Sequence, residues 1–169
     1  MPLLRTIHLF ALALALAVTG VGISSVTTAS GGGSAAFGAG RPQARAMSHS
    51  FESEVLRLTN AARERHGLRP LVSARCVEVR AGKWSRTMAA RDRFRHQSMR
   101  SIKRACHRGY VGENIAMGRG LGARQVVNLW MHSRGHRANI LNRHYRYLGV
   151  GAYRSTSTGR VYVAQNFLR

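Results

Sequence analysis

Apolar positions recur at helical spacing through the first part of this chain and at strand spacing near its end. Phe51, Val55, Leu58 and Ala62 fall four, three and four residues apart, which is one stripe of a helix beginning near His49 and Ser50. Ser50 is the natural N-cap, and Glu52 and Glu54 place acid in the first turn, where it complements the helix dipole. Gly67 and Pro70 end the helix. Asn60 lies on or beside the stripe, so it needs a hydrogen-bond partner once buried. Ser73 opens a second helix whose stripe is Val77, Ala81, Trp84 and Met88, with Arg80, Lys83, Arg86, Arg91 and Arg93 on its solvated side. From Gln97 to Tyr110 the chain reads as a basic, irregular loop. A third helix spans Ala123–Ser133, with Val126, Val127 and Trp130 inward. After a turn at Gly135 a short fourth helix runs from His136 to about Leu141. Tyr147–Tyr153 and Arg160–Phe167 alternate as strands, and the polar Ser155–Gly159 between them makes an antiparallel hairpin. Two strands alone would be marginal, so a stretch near Tyr110–Met117 is expected to add another. The class is α+β, with helices covering a small antiparallel sheet.

The N-terminus changes where this domain is expected to work. Arg5, the apolar run Leu9–Val18 and the small residues Thr27, Thr28 and Ala29 read as a signal peptide over residues 1–29. With Gly20–Ile23 added, the apolar run approaches a short membrane span, so an uncleaved anchor is the alternative to secretion. Residues 30–47, rich in Gly, Ala and Ser, read as a flexible linker, and the domain proper as 48–169. In an exported chain the cysteines, Cys76 and Cys106, are expected to pair, with two free thiols as the alternative. Charge is the second constraint: 27 Lys and Arg stand against 6 Asp and Glu, a formal +21, and only Lys83 and Lys103 are lysines. Anionic envelope polymers and lipid headgroups are the expected partners of such a surface. Nucleic acid fits less well, because aromatic residues are not interleaved with the arginines as a stacking platform requires.

Chemistry-bearing residues concentrate in Leu129–Asn142, where Ser133, His136, Arg137, Asn139 and Asn142 interrupt an apolar pattern. Ser133 and His136 are three residues apart and share a helical face. His96 follows the second helix, and Glu113, the last of the six acids, lies among glycines and apolar residues. Two imidazoles and one carboxylate from three segments form either an assembled site or a hydrogen-bonded brace for three loops, and both readings stand at this point.

The same residues carry a family resemblance. LTNAARERHGLRPL (58–71), FRH ending at His96, GENIAMG (112–118), LWMHSRGHRANIL (129–141), LGVG (148–151) and YVAQNF (162–167) together resemble the bacterial branch of the CAP superfamily. This superfamily contains the cysteine-rich secretory, antigen 5 and pathogenesis-related 1 proteins, and its domain is also called the SCP domain. The resemblance covers about residues 50–169 and implies a three-layer α–β–α sandwich with a cleft where two His and two Glu meet. His96, Glu113 and His136 match the first His, first Glu and second His. The second Glu is missing, and Ser133 holds its place three residues after Trp130. The family's cysteine pattern is also absent. The resemblance therefore implies a cleft of His96, Glu113, Ser133 and His136. His96, His136 and Glu113 would hold Zn²⁺ or another divalent cation only with water or an anion completing the shell.

The expected function is an exported, monomeric, non-catalytic binding module whose cleft takes a divalent metal or a small apolar ligand. The alternative is an extracellular, protease-like hydrolase. It would use His136 and Glu113 with Ser133 as nucleophile, or a metal-bound water on His96 and His136.

Overall fold

The final strand of the chain lies in the middle of its sheet, which is why both of its alternating faces are apolar. A computed structural model describes residues 43–169. The expected signal segment and the linker up to residue 42 lie outside the described residues. The elements in chain order are β1 (Ala44–Ala46), α1 (His49–Glu64), β2 (Val72–Ser73), α2 (Arg75–Arg91), α3 (Met99–Cys106), β3 (Val111–Arg119), α4 (Ala123–His132), α5 (Arg134–Ile140), β4 (Tyr147–Ser155) and β5 (Arg160–Leu168). The strand order is β1-β4-β5-β3, antiparallel throughout. The short β2 runs parallel to the start of β4. The expected hairpin and the third strand are both present.

Helices cover both faces. Val55 and Ala62 of α1, Val126, Val127 and Trp130 of α4 and Ile140 of α5 pack with Leu148, Val150, Val161, Val163 and Phe167. On the other face Ala81, Met88 and Ala89 of α2 meet Ile115, Tyr162 and Ala164. Val77 of α2 and Ile102 of α3 complete that layer against Leu168. The result is the three-layer α–β–α sandwich. Gly149 and Gly151 let α2 approach β4 backbone to backbone: a Cβ on Gly151 would stand 2.3 Å from the Gly82 nitrogen. Among the described residues no helix is long and apolar enough to cross a membrane.

Several local expectations shift. Ala44–Ala46, within the stretch read as linker, is a strand with Ala44 buried; backbone pairing needs no side-chain pattern, so composition hides it. Ser48 rather than Ser50 is the N-cap of α1, and Ser73 lies in β2, one residue before the N-cap Ala74 of α2. The stretch after Gln97 is not irregular but contains α3, whose one buried side chain is Ile102. One apolar anchor leaves no periodic stripe to read. The break between α4 and α5 falls at Ser133, and Gly135 is inside α5. Asn60 finds its partners: it donates to the Leu71 carbonyl at 2.9 Å and accepts from the Leu71 nitrogen at 2.8 Å, fastening the chain as it returns from α1.

Asp92 ends α2 in the left-handed region, φ 46°. Burial pushes its carboxyl up, but bonds from Ser157, Thr158, Ser155 and Tyr162 outweigh burial and hold it down at about 2. It therefore fixes the β4–β5 turn. Asp92→Ala is expected to cost about 2 kcal/mol, since a hydrogen bond to a charged group contributes about 1.5–3 kcal/mol and this carboxylate is partly exposed. The group's folded pKa is depressed, so its stabilisation is present above its ordinary 3.8 and is lost as pH falls from there towards about 2. Urea titrations of parent and variant at neutral pH and near pH 2 check this: the gap between them should close in acid.

Candidate functional site

β3 and β5 pair with Glu113 opposite Asn166 and Asn114 opposite Gln165. Residues directly opposite in an antiparallel pair share a face, so two polar pairs lie back to back in an otherwise apolar sheet. The Asn114–Gln165 pair faces α1 and α5. Asn114 Nδ2 donates to the Gln165 Oε1 at 3.0 Å and to the His136 carbonyl at 3.1 Å. Gln165 Nε2 donates to Thr59 Oγ1 at 2.8 Å. Asn139 Nδ2 donates to Asn114 Oδ1 at 2.9 Å and to the Glu113 carbonyl at 3.1 Å. This network holds α5, and with it His136, against the edge strand.

The Glu113–Asn166 pair faces the segment between α2 and α3. The Glu113 side chain is 1% exposed and that of His96 is 56% exposed, with His96 Nδ1 2.8 Å from Glu113 Oε1. Gln97 donates its backbone N–H to the same oxygen at 3.1 Å and its Nε2 to Glu113 Oε2 at 2.6 Å. Gln97 Nε2 also reaches Asn166 Oδ1 at 3.2 Å. A carboxylate accepting at Nδ1 fixes the imidazole tautomer and leaves Nε2 as the free nitrogen. Burial raises the Glu113 carboxyl, opposed by the bonds from Gln97 and His96. Burial also lowers the His136 imidazole, and the charge of His96 lowers it further. Both effects favour the neutral form of His136, and the two histidines are close enough to feel one another.

His96 and Glu113 are therefore joined directly, and His136 stands within electrostatic reach of His96. Ser133 is not joined to them. It lies at the α4–α5 joint with extended backbone (φ −99°), and its carbonyl accepts from the Arg137 nitrogen at 2.8 Å. No hydrogen bond links its hydroxyl to a histidine among the described residues. The metal trio is likewise not a three-donor set: among the described residues no group of three His, Cys, Asp or Glu is arranged to hold an ion. Both Glu113 oxygens are already occupied by N–H donors. The residues fit a divalent cation only as an open pair of imidazole nitrogens, with Glu113 acting through His96. No described cavity encloses the trio. One of about 610 Å³ lies at the opposite sheet edge, lined by Met47, Glu52, Leu56, Glu78 and Val150 among others. Sequence reading missed Gln97, Asn114, Gln165 and Asn166. The signal for the last two was a pair of amides inside an apolar strand, which must find partners when buried.

Cys76 and Cys106 are bonded, with Cα atoms 5.7 Å apart. The bridge joins the start of α2 to the end of α3, and the His96–Gln97 segment lies inside the loop it closes.

The description of the cysteine-rich secretory protein (CAP) family matches residues 56–167. The chain is 36% identical over 115 residues to the uncharacterized protein YkwD of Bacillus subtilis, covering 64% of this chain and 44% of that one. It is 35% identical over 125 residues to the uncharacterized membrane protein YlbC of the same organism, covering 70% of this chain and 34% of that one. The chain thus spans less than half the length of either curated relative. Among solved structures, an extracellular SCP-domain protein of Bacillus anthracis superposes with a TM-score of 0.62 at 29% identity, covering 71% of this chain and 40% of that one.

Proposed function

Because the chain belongs to the cysteine-rich secretory protein (CAP) family, we propose that it is an exported, non-catalytic binding module whose cleft presents two imidazoles, His96 and His136, to a ligand. The carrying observation is the buried Glu113. Three N–H donors, at least one on each oxygen, already bond its carboxylate, so its first role is as a hydrogen-bond acceptor for His96 and Gln97. What it does is hold the exposed His96 with Nε2 outward. A neutral His136 offers a second lone pair. A divalent cation such as Zn²⁺, completed by water or an anion, is the class that suits two nitrogen donors. A small apolar ligand stays the alternative occupant of the cleft. The hydrolase reading is weaker, because no hydrogen bond joins the Ser133 hydroxyl to a histidine among the described residues. Export is supported by the signal-like N-terminus, the disulfide and the extracellular relative; the membrane relative keeps the uncleaved anchor as its alternative.

Calorimetric titration of the whole protein with Zn²⁺ tests this. His96→Ala and His136→Ala are each expected to abolish uptake while shifting the melting temperature little. Glu113→Gln keeps an oxygen facing His96 Nδ1 and the Gln97 backbone N–H only by turning its amide N–H₂ towards Gln97 Nε2, and it replaces the charged acceptor that orients His96 with a weaker neutral one. It is expected to lower affinity about 10–100-fold, the usual effect of losing such a partner. Zn²⁺ uptake unchanged by either histidine substitution would sink the site. Ester or peptide turnover lost in Ser133→Ala would replace it with the hydrolase.

A further inference from the structure

Arg63 is 1% exposed, and among the described residues no carboxylate forms an ion pair with it. Its Nε donates to the Arg69 carbonyl at 2.9 Å. Its Nη1 donates to the carbonyls of Ile140 at 2.6 Å and Asn142 at 3.0 Å. These dipoles orient the guanidinium without cancelling its charge, and a buried cation without a counter-charge is costly. Nη2 has no hydrogen bond among the described residues, yet it is not one of the sealed, unpaired atoms. It is therefore the edge of the group that reaches open space.

That space is a cavity of about 370 Å³, lined also by Arg69, Arg143 and Arg146 and by no acidic residue. Arg146 is held in place by its own loop, its Nη1 donating to the Arg143 carbonyl at 2.8 Å and the Tyr145 carbonyl at 3.1 Å. Its charge, after burial, lowers the pKa of Arg63, so the two guanidiniums repel across the cavity. Like charges gathered over a buried member of the same sign are a frame for an anion.

We propose that this four-arginine cavity is a binding site for a phosphoryl group. Guanidinium forks match the oxygens of phosphate two at a time, and a doubly charged tetrahedral anion neutralises more of the cluster than a carboxylate would. The cavity shares no residue with the His96–Glu113–His136 cleft, so this site does not rest on the cleft's ligand. It gives the positive charge of the chain an address, where composition gave only a sign.

The probe is inorganic phosphate, titrated into the whole protein by calorimetry at constant ionic strength, with acetate and chloride as comparison anions. Arg63 is left in place because it braces the fold; Arg143→Gln combined with Arg146→Gln removes exposed side chains only. Saturable phosphate binding is expected in the parent, with a rise in melting temperature that acetate and chloride do not give. The paired substitution should weaken binding about tenfold or more, and Arg86→Gln with Arg91→Gln, on the outer side of α2, should change it less than about twofold. His96→Ala should leave it unchanged. Equal loss in both paired variants would reduce the effect to general charge and overturn the site, as would phosphate behaving like chloride. Vesicles of phosphatidylglycerol then separate the sources: retention lost with Arg143 and Arg146 assigns the group to a lipid headgroup, and retention independent of them assigns a soluble ester.

Discussion

Gly151→Val is expected to leave no cooperatively folded domain at room temperature. A Cβ on Gly151 would lie 2.3 Å from the Gly82 nitrogen and 2.4 Å from the Ala81 carbonyl carbon; one on Gly149 would lie 2.2 Å from the Glu78 nitrogen. These neighbours are helix backbone, which cannot rotate aside as a side chain can. Only lifting α2 from the sheet makes room, and α2 carries Val77, Ala81 and Met88 into the core as well as one end of the disulfide. Overpacking ordinarily costs about 1–3 kcal/mol through side-chain adjustment. Where backbone meets backbone the cost should exceed that range, and a domain of this size has about 5–15 kcal/mol in total. Gly151→Ala is the graded version, expected to lower the urea midpoint clearly while leaving a measurable transition. Gly135, inside α5 with nothing within 4 Å of an added Cβ, is the control. Gly135→Ala should stabilise by about 0.5–1 kcal/mol through helix propensity. If Gly151→Ala melts with the parent, the close approach of α2 to β4 is not what the two glycines serve.

Those glycines show how far the sequence could be read. LGVG carried the family resemblance, and its place in a strand was clear from alternation. That its glycines seat a helix backbone could not be seen, because the partner is seventy residues earlier. The same division holds elsewhere. Helices α1, α2 and α4 announce themselves because each buries a repeating stripe. The short α3 does not, because it buries only Ile102. Glu113 stood out as an acid in an apolar, glycine-flanked run, and His96 and His136 were matched through the resemblance. Gln97, which saturates that acid, looked like any polar loop residue. Gln165 and Asn166 were visible as amides in a buried strand, but the register that sets them against Asn114 and Glu113 is a property of pairing, not of either strand. Arg63 was hidden by abundance: among so many arginines nothing in the sequence marks the one that is buried. Side chains whose role depends on a local pattern were thus legible, and those whose role depends on a distant partner were not.

Removing the disulfide should act on the cleft as well as on stability. In the chain-entropy picture, a bridge closing a loop of this 30-residue separation contributes about 3–4 kcal/mol. Cys76→Ser with Cys106→Ser should therefore be the second most damaging change after Gly151→Val. The loss should also be uneven. α3 has eight residues, below the length at which a helix holds in water by itself, and besides Ile102, the flanking Met99 and a hydrogen bond from Arg80 to Ser101 near its start, its far end is attached by the bridge at Cys106. His96 and Gln97 enter directly before α3, so freeing its far end loosens the donors that saturate Glu113. Left with fewer donors, a buried carboxylate favours its protonated form, and His96 loses the acceptor that fixes its tautomer. Hydrogen exchange in the double variant should quicken in residues 97–106 well before β4 and β5, and Zn²⁺ affinity should fall at temperatures where the sheet is intact. Uniform acceleration across the domain would show that the bridge acts only through the unfolded chain. Exchange confined to 97–106 together with lost uptake would place the disulfide, Gln97, Glu113 and His96 in one mechanical unit, in which an oxidised exterior is a condition for presenting the imidazole.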